Sequence, residues 1–197
     1  MNKKTKGIVI VIIALFIAAF GIYKSDILLS DDQKAEKLKE SQLAGIEKTK
    51  FKTLNVKTMD ELDAKIKSGD KVIAYFAWSV NCGDARLFEL NSFDNYLDNE
   101  SINDMIYVID LDKELPDGLV NHDLRKPVAK RFLIDTWTKD ETVNPMELKS
   151  PQLVYYKDGK IADLVSWTVI NSDSVTGMQE SYTKAFFDFV KKDAGIK

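Results

Sequence analysis

Residues 7–23, GIVIVIIALFIAAFGIY, hold 17 positions without a charge, and that run decides where the rest of the chain can fold. As a helix it would span about 25 Å, just inside the range for crossing a bilayer, with Tyr23 and Lys24 at one interface. Lys3, Lys4 and Lys6 precede the run, and Asp26, Asp31 and Asp32 follow it. Positive charge favours the cytoplasmic side, so the long C-terminal part is expected outside the cytoplasm. Ala18 and Ala19 give a weak cleavage context, so a cleaved signal peptide and a secreted product form the alternative. A buried helix of a soluble fold is the remaining one. No cysteine just after the run could accept a lipid. The expected organisation is a basic cytoplasmic tail at 1–6, a transmembrane anchor or signal at 7–23, a polar stalk or leading helix at 24–50, a folded domain at 51–192 and a short tail at 193–197.

Charge and composition narrow the function classes. The net charge is −3 and the later lysines are interleaved with acids, so no basic stripe offers itself to nucleic acid. There is one cysteine, Cys82, and one histidine, His122. A conventional His/Cys zinc cluster within one chain is therefore excluded. Any disulfide must join Cys82 to another molecule. No glycine-rich phosphate loop is present, hydrolase and kinase motifs are absent, and no cofactor is expected.

The remaining sequence alternates strand and helix signals. Phe51–Val56 is a short alternating strand candidate. Thr58 with Glu61 three residues later reads as a capping box; Met59, Leu62 and Ile66 form the apolar stripe of the helix that follows, and Gly69 stops it. Lys71–Ala77 carries VIAYFA, an apolar run of the central-sheet kind. Gly83–Leu97 returns to helical spacing, with Leu87, Leu90, Phe93 (or Phe88) and Leu97 facing inward. Met105–Ile109 is a further buried strand, ending in Asp110 and Asp112. A helix is expected from about His122 to Leu133, with Pro127 near its start, followed by a long polar segment at 135–150. Gln152–Tyr156 and Ile161–Thr168 read as a hairpin closed by Asp158-Gly159. Val175–Lys192 is a final amphipathic helix with Met178, Tyr182, Phe186 and Val190 along one side. The order β-α-β-α-β-α-β-β-α predicts an α/β fold in which a mixed sheet is flanked by helices.

Two segments carry a resemblance. The first is Tyr75-Phe76-Ala77-Trp78-Ser79-Val80-Asn81-Cys82-Gly83-Asp84-Ala85-Arg86. The second is Ser150-Pro151-Gln152-Leu153-Val154-Tyr155-Tyr156-Lys157-Asp158-Gly159-Lys160. With the element order around them, residues 51–192 resemble the thioredoxin-like superfamily. Within it the chain looks most like the membrane-anchored bacteriocin transport accessory proteins of Gram-positive bacteria. The resemblance implies a thioredoxin-like mixed sheet preceded by the N-terminal transmembrane helix. It also implies that Cys82 is a nucleophile at the start of the second domain helix, and that Pro151 is a cis-proline substrate clamp. Ser150 would offer backbone groups to an extended client, Trp78 would line the surface beside Cys82 or belong to the core, and Arg86 would offset the nearby Asp84.

The chain departs from that family's Cys-x-x-Cys pair. In one register Cys82 is the first cysteine and Ala85 replaces the second; in the other, Ser79 and Cys82 occupy the two places. A thiol at a helix start meets orphan backbone N–H groups that favour its thiolate form. It can form a mixed disulfide, but Ala85 has no sulfur to release it. An external thiol, a membrane redox partner or a second copy would have to act. The expected partners are thus a cysteine-containing secreted peptide or protein and an external resolving thiol. The alternative is a redox-inactive binding or chaperone module that uses the same groove. A structural subunit of an export or immunity assembly is a third possibility. Trp137 and Trp167 read as packing residues, and Lys139, Asp140 and Glu141 as an insertion surface. Asp110 and Asp112 read as a solvated strand end or a cation site. Asn121, His122 and Asp123 read as a turn and helix cap.

Overall fold

The computed structural model describes residues 29–133, 147–166, 168–169, 176–178 and 180–196. The expectations for 7–23, for Trp137, Trp167, Lys139, Asp140 and Glu141, and for most of the polar segment at 135–150 lie outside the described residues. Among the described residues no helix is long and apolar enough to cross a membrane.

The chain divides after Ser41. Helix α1, Asp31–Ile46, opens with a Ser30/Gln33 pair in which Gln33 N donates to Ser30 Oγ and Ser30 N donates to Gln33 Oε1. Its C-terminal end, from Gln42, belongs to the second unit, where Ile46 is buried. A 3-10 turn at Lys50–Thr53 follows, then strand β1 at Asn55–Lys57. The strand expected over 51–56 thus starts late. Asp94 accepts from the backbone N–H groups of both Lys50 and Phe51, which holds that stretch as a turn and buries Phe51.

Thr58 caps helix α2, Met59–Lys67, with the full reciprocal capping box to Glu61. Gly69 then takes φ +80, a conformation open to glycine at no steric cost. Strand β2, Val72–Ala77, is buried at every position. Its alternation feeds two cores. Ile73, Tyr75 and Ala77 face one, and Val72, Ala74, Phe76 and Trp78 face the other. A strand covered on both faces needs no polar residues, which explains the unbroken apolar run.

Helix α3 covers Gly83–Asn91, shorter than the expected 83–97. A 3-10 turn at Phe93–Tyr96 and helix α4, Glu100–Asn103, complete the crossover to strand β3, Ile106–Asp110. Leu87 is exposed, at 46%, against the inward place expected for it. The buried residues of α3 are Ala85, Phe88 and Glu89, so the stripe is rotated by about one residue. Helix α5, Leu111–Glu114, two 3-10 turns at Pro116–Leu119 and His122–Leu124, and helix α6, Arg125–Phe132, lead across the second face.

Strand β4, Gln152–Lys157, pairs antiparallel with β2 and with strand β5, Lys160–Ser166. The turn between them has Asp158 and Gly159 at positive φ, 52° and 75°, as a type I′ hairpin turn requires. Short strands β6, Thr168–Val169, and β7, Thr176–Gly177, pair with each other. Helix α7, Glu180–Ala194, therefore begins later than Val175, and Met178 precedes it. Tyr182 points outward, at 59% exposure, while Thr183, Phe186, Phe187 and Val190 form its buried side.

The five-stranded sheet runs β1-β3-β2-β4-β5, with β1, β3 and β2 parallel and β4 and β5 antiparallel. It is a mixed α/β fold with helices on both faces. Asp193 near the end of α7 accepts from Tyr155 Oη and Lys157 Nζ and pairs with Lys71. Those contacts fasten the last helix to the start of β2 and the end of β4, and they hold the Asp193 carboxyl down at about 2, with Lys157 the largest cause.

Phe93 lies at the centre of an aromatic cluster. Its ring centroid is 4.8 Å from Tyr75, 4.9 Å from Phe88 and 5.5 Å from Phe51. Truncating so enclosed a ring leaves a cavity, so Phe93→Ala should lower stability by about 3–5 kcal/mol. Urea unfolding of the full chain measures this; a loss under about 1 kcal/mol would show that the cluster can collapse into the space.

Candidate functional site

The site forms where β2 leaves the sheet. Its last side chain on the second core face is Trp78, which is wholly buried. The indole Nε1 donates to Leu115 O at 2.9 Å, and the Arg125 guanidinium stacks over the ring at 5.0 Å from its centroid. Gly118 is required here, since a Cβ would come within 2.8 Å of the indole and 2.6 Å of Leu115. Trp78 therefore lines the cleft beside Cys82 from within the core, with no exposed surface of its own. Its core reading is the one observed.

The chain then turns through residues 79–82. Asn81 N and Cys82 N both donate to Trp78 O, at 3.1 and 2.7 Å. Asp112 accepts from Val80 N at 2.7 Å and from Asn81 Nδ2 at 2.8 Å. Arg86 donates through Nη1 to Val80 O at 2.7 Å and through Nε to Gln42 Oε1 at 2.9 Å. Asp110 caps α5 by accepting from Asp112 N and pairs with Lys113. The strand-end acids are thus loop braces, and among the described residues no group of three His, Cys, Asp or Glu side chains is placed to hold a metal ion. Arg86 likewise works inside the fold, tying the loop to α1.

Cys82 is the N-cap residue of α3, with extended backbone dihedrals. It is half-buried. Its Sγ donates to Ser150 O at 3.5 Å, while Ser150 Oγ accepts from Trp78 N at 3.0 Å. The Ser150–Pro151 peptide bond is cis, and Pro151 is buried. Ser150 thus bridges the cysteine loop and the entry to β4 with two different atoms. Ala85 is buried one turn into the helix, so nothing beside Cys82 can serve as a second thiol.

A cleft of about 240 Å³ opens over the sulfur. Besides Trp78, Cys82 and Ser150 it is lined by Asp84, His122, Arg125, Glu147 and Lys149. Nothing in the sequence pattern places His122 beside a nucleophile, yet the 3-10 turn at 122–124 brings it to this cleft. Arg125 was also missed. It donates to the carbonyls of Gly118, Leu119 and Leu148 and lies in electrostatic range of Glu147 and Cys82. A lone arginine opening a short helix carries no signal of such a role.

Glu89 is the other residue that sequence reasoning passed over. It is fully buried on the inner side of α3. Its Oε1 accepts from Tyr75 Oη at 2.9 Å and from Ser79 Oγ at 2.5 Å, and its Oε2 has no hydrogen-bond partner. The spacing from Ala85 and Phe88 could have found it, since 85, 88 and 89 share one helical face. Burial pushes the carboxyl up to about 7. The Ser79 and Tyr75 hydroxyls and the Arg86 charge oppose the rise, and Asp112 adds to it.

No family model matches the chain, and no curated protein matches it.

The raised Glu89 carboxyl makes stability depend on pH in a stated direction. Between its ordinary value near 4.5 and the folded value of about 7, the folded chain keeps a proton that the unfolded chain has released. Stability should therefore fall as pH rises through that window, by about 3 kcal/mol from this group, and level off above it. Glu89→Gln should remove that fall. Urea unfolding at pH 5 and pH 8 provides the comparison, and an equal drop in both proteins would contradict the assignment.

Proposed function

We propose that the chain is a thioredoxin-like accessory protein at the outer face of a Gram-positive cell membrane, which captures cysteine-containing secreted peptides or proteins, such as bacteriocins, by single-thiol exchange at Cys82. Residues 7–23 anchor it, or direct its secretion if they are cleaved. The observation that carries the reading is the meeting of Cys82 Sγ with Ser150 O at 3.5 Å, next to the cis Ser150–Pro151 bond. The strand order β1-β3-β2-β4-β5 supports it. So does the N-cap position of Cys82, which favours the register with Ala85 in the second place over the register that begins at Ser79.

In the proposed chemistry, the Cys82 thiolate attacks one sulfur of a client disulfide. A Cys82–client S–S bond forms, the client's own S–S bond breaks, and its second sulfur leaves as a thiolate. An external thiol then attacks the client sulfur, and Cys82 departs as the thiolate. That thiol comes from a small molecule, a membrane partner or a second copy, because Ala85 cannot provide it. Pro151 and Ser150 form the wall along which an extended client would lie.

The lack of a second cysteine to partner Cys82 favours a second reading, a redox-inactive module that holds clients in the same cleft without a covalent step. The two part at one substitution. Full chain purified from its native envelope without reductant should carry a client joined through Cys82, visible as a mass lost on reduction. Cys82→Ser should abolish both the adduct and client capture while leaving the circular dichroism spectrum unchanged. Full client capture by Cys82→Ser would replace the exchange reading with the binding one.

A further inference from the structure

Next to the 79–82 loop lies a larger cavity of about 460 Å³, within the size range of small-molecule sites. Ile46, Phe51, Leu54 and Val108 give it an apolar wall. Ser79, Glu89, Asp110 and Asp112 give it a polar end. The charges there do not balance. Lys113 is paired with Asp110 and Lys52 with Glu47. Among the described residues, Glu89 and Asp112 have no salt-bridge partner, although Arg86 lies in electrostatic range of Glu89 and Lys113 in that of Asp112.

Glu89 is the decisive residue. A fully buried carboxyl with one oxygen left without a hydrogen bond is costly unless a partner arrives. Tyr75 and Ser79 both engage Oε1, so Oε2 keeps its full accepting capacity, and Glu89 is one of the residues that line the cavity. A donor carrying positive charge, attached to an apolar body, would satisfy both halves of the cavity. A primary ammonium supplies three N–H donors on a compact charge. A bare divalent cation is disfavoured, because no group of three ligating side chains is present among the described residues.

We propose that this cavity binds a small amphiphilic primary amine, its ammonium on Glu89 with Asp112 near by, and its hydrocarbon body against Ile46, Phe51, Leu54 and Val108. The site is distinct from the Cys82 cleft and does not depend on thiol chemistry. It adjoins the loop that carries Cys82, since Ser79, Val80 and Asn81 line it.

The test uses the full chain in nanodiscs at pH 8, above the value at which Glu89 ionises, with empty nanodiscs as the blank. The probes are 2-phenylethylamine, its neutral counterpart 2-phenylethanol, and the anion 3-phenylpropionate, followed by calorimetry and by methyl NMR. The amine should bind saturably, about tenfold or more tighter than the alcohol, as a charge-assisted hydrogen bond predicts. Its shifts should centre on the methyls of Ile46, Leu54 and Val108. Glu89→Gln should remove the preference for the amine and leave the alcohol's binding unchanged. If that variant fails to fold, the wild-type order amine, alcohol, anion remains the test, with Asp112→Asn weakening the amine alone. Equal binding of amine and alcohol, shifts elsewhere in the chain, or no saturable binding at millimolar probe would overturn the proposal.

Discussion

The complete burial of β2 on both faces governs the rest of the structure. A strand enclosed by two apolar cores cannot shift register, because a slip by one residue would exchange every side chain between them. Its end is therefore fixed, and with it the point at which Trp78 enters the second core and the chain turns. The polar groups set free at that turn are then satisfied one by one: Trp78 N by Ser150, Val80 N by Asp112, Val80 O by Arg86. Cys82 occupies the N-cap of α3 because this bracing fixes where the helix starts.

Glu89 shows what this arrangement sacrifices. The same helix that presents Cys82 at its start buries a carboxyl seven residues later, where burial outweighs two hydroxyl donors. An apolar residue there would pack more stably. The carboxyl instead links Ser79 in the cysteine loop to Tyr75 in the middle of β2, and Glu89 lines a cavity that has both an apolar wall and a charged end. Two clefts thus adjoin one loop, one lined by Cys82 and the other by Glu89.

Much of the fold was legible in the sequence because its strongest signals are physical and local. VIAYFA reads as a doubly covered strand, Thr58 with Glu61 as a helix start, and Asp158-Gly159 as a hairpin turn, and each forms as read. The juxtaposition of Cys82 with Ser150 and Pro151 came from resemblance, since nothing within either segment reports the other. The misplaced stripe of α3 has a simple cause: the spacing of its leucines placed Leu87 inward, whereas the buried face runs through Ala85, Phe88 and a carboxylate, Glu89, which carries no apolar signal. Tyr182 and the start of α7 failed similarly, because periodicity from Val175 onward ignored the short β6–β7 ladder. Arg125 and His122 reach the cleft through 3-10 turns, which leave little periodic trace in a sequence.

The proposed exchange requires Cys82 to be a working thiol at a built site. The most direct measurement is the rate of exchange between the full chain and a short peptide disulfide, followed by stopped flow, in the folded protein and in the same chain unfolded in urea. Positioning by the Ser150–Pro151 wall predicts a rate at least about tenfold higher for the folded chain than for the unfolded one. Equal rates, or slower exchange in the folded chain, would show that the fold stores this sulfur and does not use it.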